Sequence, residues 1–177
     1  KHAVPGDVAA ERQRWLDMLV QVGVQALARG EIAEAEKLAK KARRADKKAP
    51  EPGCLLGDVL RKRGQHAAAV KSYAETRSRM GLDRIAATLR ENPGVIEPRD
   101  LLVMCPMKGA VLVVAREYAR RGEKDLAMRA AKLAGRQLGA TPTVAAVLAD
   151  ILCLTEGGGA ADKIAVDAVQ AYLAPPA

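Results

Sequence analysis

Aromatic side chains are scarce in this sequence of 177 residues. They make up 2% of the chain, with one Trp, three Tyr and no Phe. A core must therefore be built from many Ala, Leu and Val side chains brought close together, because there are few large rings to fill it. Closely packed helices meet that requirement, and 49% hydrophobic content over this length suits one ordinary or one repetitive domain.

Cysteine and histidine are also rare. Cys54, Cys105 and Cys153 are odd in number, far apart and without CxxC or CxxH spacing, which indicates neither a disulfide framework nor a zinc site. We interpret them as small core or groove residues, and this favours a reducing, cytoplasmic compartment over secretion or the periplasm. For His2 and His66, the sequence offers no partner that would make either one a catalytic base.

Motifs for nucleotide binding and hydrolysis are missing as well. The sequence has no P-loop, GxGxxG, HExxH or GxSxG. The glycines at 157–159 are not followed by the Lys-Ser/Thr of a phosphate loop, which favours a turn between helices. The longest apolar run, 101–115, is interrupted by Pro106 and Lys108 and is too short to span a membrane. We therefore expect no enzyme, cofactor, metal site or transmembrane segment.

What the chain does contain is helix-forming residues between regularly placed breaks. Every long segment is rich in Ala, Leu, Arg, Lys and Glu, and the Val-rich stretch at 111–114 lies inside a run with helical spacing. Breaks at Gly and Pro residues, Gly81 among them, leave segments of roughly 10–15 residues, the length of short antiparallel helices. The sequence therefore predicts an all-α protein.

Small residues recur with a period of 34 residues in both halves of the chain. The pairs are Gly23/Gly57, Gly30/Gly64 and Ala35/Ala69 in the first half, and Ala115/Ala149, Ala127/Ala161, Ala131/Ala165 and Ala134/Ala168 in the second. Small residues on facing helices let two backbones approach, and a glycine between them permits a tight turn. We therefore expect helical hairpins that repeat along the chain.

A fuller signature surrounds these positions in four units. The matching residues are Leu19, Val22, Gly23, Gly30, Ala35, Ala39 and Ala42; then Leu56, Gly57, Gly64, Ala69 and Tyr73; then Ala115, Tyr118, Gly122, Ala127, Ala131, Ala134 and Pro142; and finally Ala149, Ala161, Ala165 and Ala168. The pattern resembles the tetratricopeptide repeat family. It departs from that family at Ala39, where an aromatic is usual, and at Glu156, where the fourth turn glycine is expected.

The resemblance implies an α-α superhelix with an irregular helical insertion in the middle. Gly64 and Gly122 are 58 residues apart, one period plus 24, so the register slips between the second and third repeats. The segment 84–107 is then an insertion or a degenerate hairpin, with helices expected near Leu82–Glu91 and Pro98–Met104. The expected divisions are a lead-in at 1–15, repeats at 16–83, this segment, repeats at 108–172 and a tail at 173–177.

The resemblance also implies a concave groove lined by the first helix of each repeat. The groove positions carried over are Val20, Val24, Leu27, Cys54, Asp58, Arg61, Lys62, Leu112, Arg116 and Arg120, with Asp150 on the fourth repeat. Chaperone-tail clamps of the family have a Lys and an Asn where Val20 and Val24 stand, so a peptide or helix with apolar anchors and an acidic flank fits better. The implied function is a protein-binding adaptor or scaffold in a multiprotein assembly.

Excess positive charge is confined to the first half of the chain. The net charge is +8, and residues 1–90 carry 19 Lys/Arg against 11 Asp/Glu, whereas the remainder carries 10 of each. The basic patch consists of Lys37, Lys40, Lys41, Arg43, Arg44, Lys47 and Lys48. It is a solvated face, a surface for an acidic protein, or a polyanion site for nucleic acid or an anionic membrane. No aromatic suited to base stacking lies nearby, which disfavours nucleic acid.

Self-assembly through the ends of the array is a further alternative. Trp15 lies one turn before Leu19, the first residue of the repeat signature. It would either cap the apolar end of the array or insert into a neighbouring subunit, because the ends of a solenoid expose apolar surface. The second case predicts a homo-oligomer.

Overall fold

The structure, a computed structural model, describes residues 5–139 and 141–156. All the regular secondary structure in these ranges is helical. The helices are α1 Pro5–Ala28, α2 Ile32–Ala45, α3 Pro50–Lys62, α4 His66–Glu75, α5 Arg79–Glu91, α6 Pro98–Met104, α7 Ala110–Arg120, α8 Lys124–Leu138 and α9 Pro142–Glu156. The all-α prediction is confirmed for this part of the chain.

The chain forms two compact units, Lys1–Thr88 and Leu89–Ala177. In the first unit α1 pairs with α2 and α3 with α4, and α3 also contacts both helices of the first pair. In the second unit α7 pairs with α8, and α6 and α9 both pack against α7. The second helix expected for the fourth repeat, with Ala161, Ala165 and Ala168, lies outside the described residues, as does the tail at 173–177.

The α1/α2, α3/α4 and α7/α8 hairpins share one turn geometry. Each turn holds a glycine in the left-handed region, namely Gly30, Gly64 and Gly122 with φ of 81°, 74° and 75°. The next N–H donates to the carbonyl five residues earlier, from Glu31 to Ala26, from Gln65 to Leu60 and from Glu123 to Tyr118, each at 2.9 Å. This is the Schellman motif, which satisfies a terminal helix carbonyl and requires a residue that tolerates positive φ.

Small residues let the two helices of each hairpin approach closely. On the second helices these residues are fully buried, and they are Ala35, Ala39 and Ala42 on α2, Ala69 on α4, and Ala127, Ala131 and Ala134 on α8. In the first hairpin Ala42 packs with Leu16 and Leu19 of α1. Ala35 packs with Ala26 of α1 and Val59 of α3, so this contact also joins the first hairpin to the second.

A buried tyrosine fills the space left by a glycine in the second hairpin. A Cβ atom on Gly57 would lie 2.2 Å from Cε1 of Tyr73, which is 1% exposed. The Tyr73 hydroxyl donates to Oδ1 of Asp58 at 2.8 Å, and the Arg84 guanidinium donates to the same oxygen at 2.9 Å. These bonds join α3, α4 and α5 within the first unit.

The segment between the second and third hairpins contains two helices. The short helix α6 has the expected bounds, Pro98–Met104, and begins with proline at a position where no N–H is required. The prediction of a break at Gly81 was wrong, because α5 already begins at Arg79. The Ser78 hydroxyl accepts the Gly81 N–H at 3.0 Å and so caps this helix. A Cβ on Gly81 would lie 2.5 Å from the Tyr73 carbonyl oxygen, so the glycine permits a close approach.

Candidate functional site

The predicted groove residues of α1 form a partly exposed apolar strip. Val24 is 50% exposed, whereas Val20 and Leu27 are half-buried. Val20 packs beside the cluster of Leu16, Leu19 and Ala42, and Leu27 packs beside the cluster of Ala26, Ala35 and Val59. Because the strip rests on two buried clusters, it offers a ligand apolar surface on a rigid support.

Two predicted groove residues are core residues instead. Cys54 is 2% exposed and Leu112 is 8% exposed, so neither side chain offers surface to a partner. Burial raises the pKa of the Cys54 thiol, and the nearby negative charge of Asp58 raises it further. A buried thiol with a raised pKa is poorly nucleophilic, which agrees with a packing role. Both positions were assigned from register alone.

A third predicted groove residue, Asp58, already bonds to other residues of the chain. Its carboxylate accepts hydrogen bonds from Tyr73 and Arg84, and the side chain is nearly buried. Arg84 also forms an ion pair with Oδ2 of Asp58 at 2.9 Å. Burial, followed by the charge of Asp58 and the hydrogen bond to it, raises the pKa of Tyr73 above its usual range. The Asp58–Arg84 pair carries no net charge, so Asp58 repels an acidic ligand less than an unpaired carboxylate would.

The end of α3 presents two of the predicted groove cations. Arg61 is half-buried and Lys62 is exposed, and both lie in the last turn of the helix. Arg61 follows Leu27 by one period of 34 residues, and α1 and α3 are in contact. Leu27 and Arg61 are therefore equivalent positions on neighbouring first helices. We call the surface of Val20, Val24, Leu27, Arg61 and Lys62 the α1/α3 face.

In the second unit the predicted groove cations already have carboxylate partners. Arg116 of α7 donates to Oδ2 of Asp150 of α9, from Nε at 3.0 Å and from Nη2 at 2.6 Å. Arg120 pairs at 3.5 Å with Glu117, whose side chain is 1% exposed. A ligand carboxylate at Arg116 would have to displace Asp150, so this half of the predicted groove is less available.

The basic patch includes a regular stripe on the solvent side of α2. Lys37, Lys40, Lys41 and Arg44 follow one another at spacings of three, one and three residues, and all are exposed. This spacing keeps them on one side of the helix, opposite the buried alanines. Lys48 lies beyond the end of α2 and is also exposed.

Several cations of the patch have acidic partners or ring contacts. Lys37 pairs with Glu34 at 3.6 Å and Lys40 pairs with Glu36 at 2.6 Å, both within α2. Arg43 reaches Glu75 of α4, and Lys41 Nζ lies 5.3 Å from the centre of the Trp15 ring. Neutralisation is therefore uneven along the patch.

Residues of the patch line two open pockets. One pocket of about 430 Å³ is lined by Lys40, Arg43, Arg44, Lys47 and Leu56. A second, of about 450 Å³, is lined by Ala33, Glu36, Lys37, Lys40, Lys41 and Arg44. Lys40 and Arg44 belong to both, so the two pockets are adjacent.

Sequence reasoning missed an exposed apolar stripe on α1. Trp15, Met18 and Val22 follow Val8 at spacings of seven, three and four residues, and each is at least 36% exposed. The spacing was a readable signal, because it places all four on one helix face. A pocket of about 470 Å³ lies beside Val8 and is also lined by Arg12 and Ala45. Trp15 is thus an exposed member of this stripe with Lys41 over its ring.

No protein-family model matches the chain, and no curated protein sequence matches it significantly. None of the helices within 5–139 and 141–156 is both long and apolar enough to cross a membrane. Among the same residues, no three His, Cys, Asp or Glu side chains group as metal ligands would. The resemblance to tetratricopeptide repeats therefore rests on the 34-residue period and on the residues that carry it.

Proposed function

We propose that the chain is a tetratricopeptide-like interaction module that binds a peptide or helix of a partner protein at the α1/α3 face. One observation carries this proposal. The first two hairpins have the same Schellman turn one period apart, so equivalent residues of α1 and α3 stand on neighbouring helices. Repetition of this kind is how helical arrays build extended binding surfaces.

The chemistry of the face indicates the kind of ligand. Val24 is exposed beside the half-buried Val20 and Leu27, which suits one or two apolar anchors. Lys62 adds a positive charge at the end of α3, and Asp58 nearby is neutralised by Arg84. We infer that the ligand carries an acidic flank next to its apolar side chains. A well-packed anchor at such a site contributes about 2 kcal/mol or more to binding.

Affinity capture from native lysate tests the proposal when it is followed by binding measurements with the identified segment. Val24→Asp places a charge in the apolar strip, and Lys62→Glu reverses the charge that faces the acidic flank. Each change should weaken binding by about tenfold, the equivalent of about 1.4 kcal/mol. Circular dichroism of each variant verifies that the helices remain folded.

Matched controls separate the α1/α3 face from general surface effects. Val103 is 81% exposed on α6, and Lys71 is exposed on α4. Val103→Asp and Lys71→Glu make the same chemical changes at residues outside the proposed face and should leave the affinity within about twofold of the wild type, since most binding energy comes from a few residues of the site itself. If the control variants weaken binding as much as Val24→Asp and Lys62→Glu do, the assignment of the site is wrong.

A further inference from the structure

The pocket between α2 and α3 holds more positive charge than the chain neutralises. Four of its five lining residues are cations, and the fifth is Leu56. Lys40 is paired with Glu36 and Arg43 with Glu75. Among the residues that the structure describes, no acidic side chain forms an ion pair with Arg44 or Lys47. Two uncompensated cations therefore line one pocket.

One of these two carboxylates, Glu36, is shared between two cations. Glu36 accepts an ion pair from Arg63 at 2.6 Å as well as from Lys40 at 2.6 Å. The hydrogen bond from Lys40, with the charges of Arg63 and Lys40, lowers the pKa of Glu36. Glu36 therefore stays ionised at neutral pH, and each of its two oxygens is already paired with a cation other than Arg44. A ligand anion would add ion pairs at Arg44 and Lys47 that the described residues do not supply.

Leu56 adds an apolar side chain to a pocket that is otherwise lined by cations. It is half-buried on α3 and lies five and six residues before Arg61 and Lys62, so it is roughly 120–140° around that helix from the α3 residues of the α1/α3 face. An apolar contact inside a ring of cations suits a ligand with both carboxylates and an apolar side chain. Proteins that bind single-stranded nucleic acid usually stack its bases on aromatic side chains, and none of the pocket residues is aromatic.

We propose that this pocket is a second binding site, separate from the α1/α3 face, for an acidic peptide segment. Arg44 and Lys47 pair with two carboxylates of the segment, and Leu56 contacts an apolar side chain between them. Arg44 is suited to pairing with a carboxylate because a planar guanidinium binds one through two parallel hydrogen bonds. In an extended peptide, alternate side chains point to the same side, so two carboxylates four positions apart flank an apolar side chain that lies midway between them, about 7 Å from each.

Fluorescence polarisation with a defined probe tests this proposal on the full chain. The probe is a fluorescein-labelled peptide of Glu and Gly, roughly 12 residues long and about 40 Å when extended, with one central Leu. At about 50 mM salt, where screening is modest, the wild type should bind it. Arg44→Glu and Lys47→Glu should each weaken binding by about tenfold. Lys71→Glu, with the same charge change on α4, should alter it less than about twofold.

Further arms of the experiment separate the possible ligands. Leu56→Ser should weaken binding of the Leu probe by several-fold and leave a probe with Gly in place of Leu unaffected. Val24→Asp and Lys62→Glu should leave the probe affinity unchanged, so failure here is distinguishable from failure at the α1/α3 face. The proposal is overturned if the wild type does not bind the probe, or if Lys71→Glu is as damaging as Arg44→Glu. Tighter binding of an oligothymidine of equal length, lost in Arg44→Glu, would assign the pocket to nucleic acid instead.

Discussion

Replacing Gly57 by alanine should destabilise the first unit, because the space for a methyl group is occupied by Tyr73. A Cβ atom at position 57 would lie 2.2, 2.5 and 2.8 Å from three ring carbons of that residue. Carbon atoms in contact are normally about 3.5–4.0 Å apart, so the ring or the helix would have to shift by more than about 1 Å. The ring has little freedom to do so, because it is buried and its hydroxyl is bonded to Asp58 at 2.8 Å.

The expected loss follows from three contributions. Overpacking of this kind costs about 1–3 kcal/mol. If the ring moves far enough to break its bond to Asp58, the buried carboxylate loses a donor at a further cost of about 1 kcal/mol or more. Alanine in a helix interior recovers about 0.5–1 kcal/mol relative to glycine. We expect the free energy of unfolding to fall by about 2 kcal/mol in total.

Gly23→Ala is the matched control, since Gly23 occupies the equivalent position one period earlier. Its added Cβ would meet Leu55 Cδ2 at 2.5 Å, and this atom is the tip of a buried but branched side chain that no hydrogen bond holds in place. Urea denaturation followed by circular dichroism should show a loss for Gly57→Ala and a change within about 0.5 kcal/mol for Gly23→Ala. The reasoning is refuted if Gly57→Ala is as stable as the wild type, or if both variants lose the same amount.

Three further changes test the turn, the buried ion pairs and the buried tyrosine. Gly64→Ala should cost about 1–2 kcal/mol because φ is 74°, and Gly64→Asn should cost less in the same urea titration. Arg121→Met removes one of the two cations that pair with the buried Glu117 and should lower the free energy of unfolding of the second unit by about 2 kcal/mol. The double variant with Glu117→Gln should recover part of this loss, because it also removes the buried negative charge. The pKa of Tyr73 is raised on folding, so the stability that its protonated hydroxyl contributes is complete below about pH 10 and is lost as the pH rises further. The fall in the free energy of unfolding at alkaline pH should therefore be smaller for Tyr73→Phe than for the wild type.

Periodic features of the chain were predictable because their causes are local. A turn with positive φ favours glycine, so Gly30, Gly64 and Gly122 indicated the turns directly. Pro98 indicated the start of α6, because proline is favoured in the first turn of a helix. The start of α5 was missed since Gly81 was interpreted as a break, whereas its small size serves contact with the Tyr73 carbonyl.

The candidate site was less predictable because it depends on contacts between helices. Register placed Cys54 on a first helix, but the packing that buries it comes from other parts of the chain. The Arg116–Asp150 pair did leave a signal, since opposite charges stand one period apart on first helices. Arg84 left none, because it lies where the 34-residue register is lost. Its bond to Asp58 follows only from the three-dimensional arrangement.

Methyl NMR of the complex tests whether the partner segment binds at the α1/α3 face. The full chain, labelled at Val and Leu methyl groups, would be titrated with the partner segment identified by affinity capture. We expect chemical-shift changes at the methyl groups of Val20, Val24 and Leu27, and none at the exposed Val103 and Leu133. Shifts confined to Val103, Leu133 or other methyl groups away from α1 and α3 would contradict it.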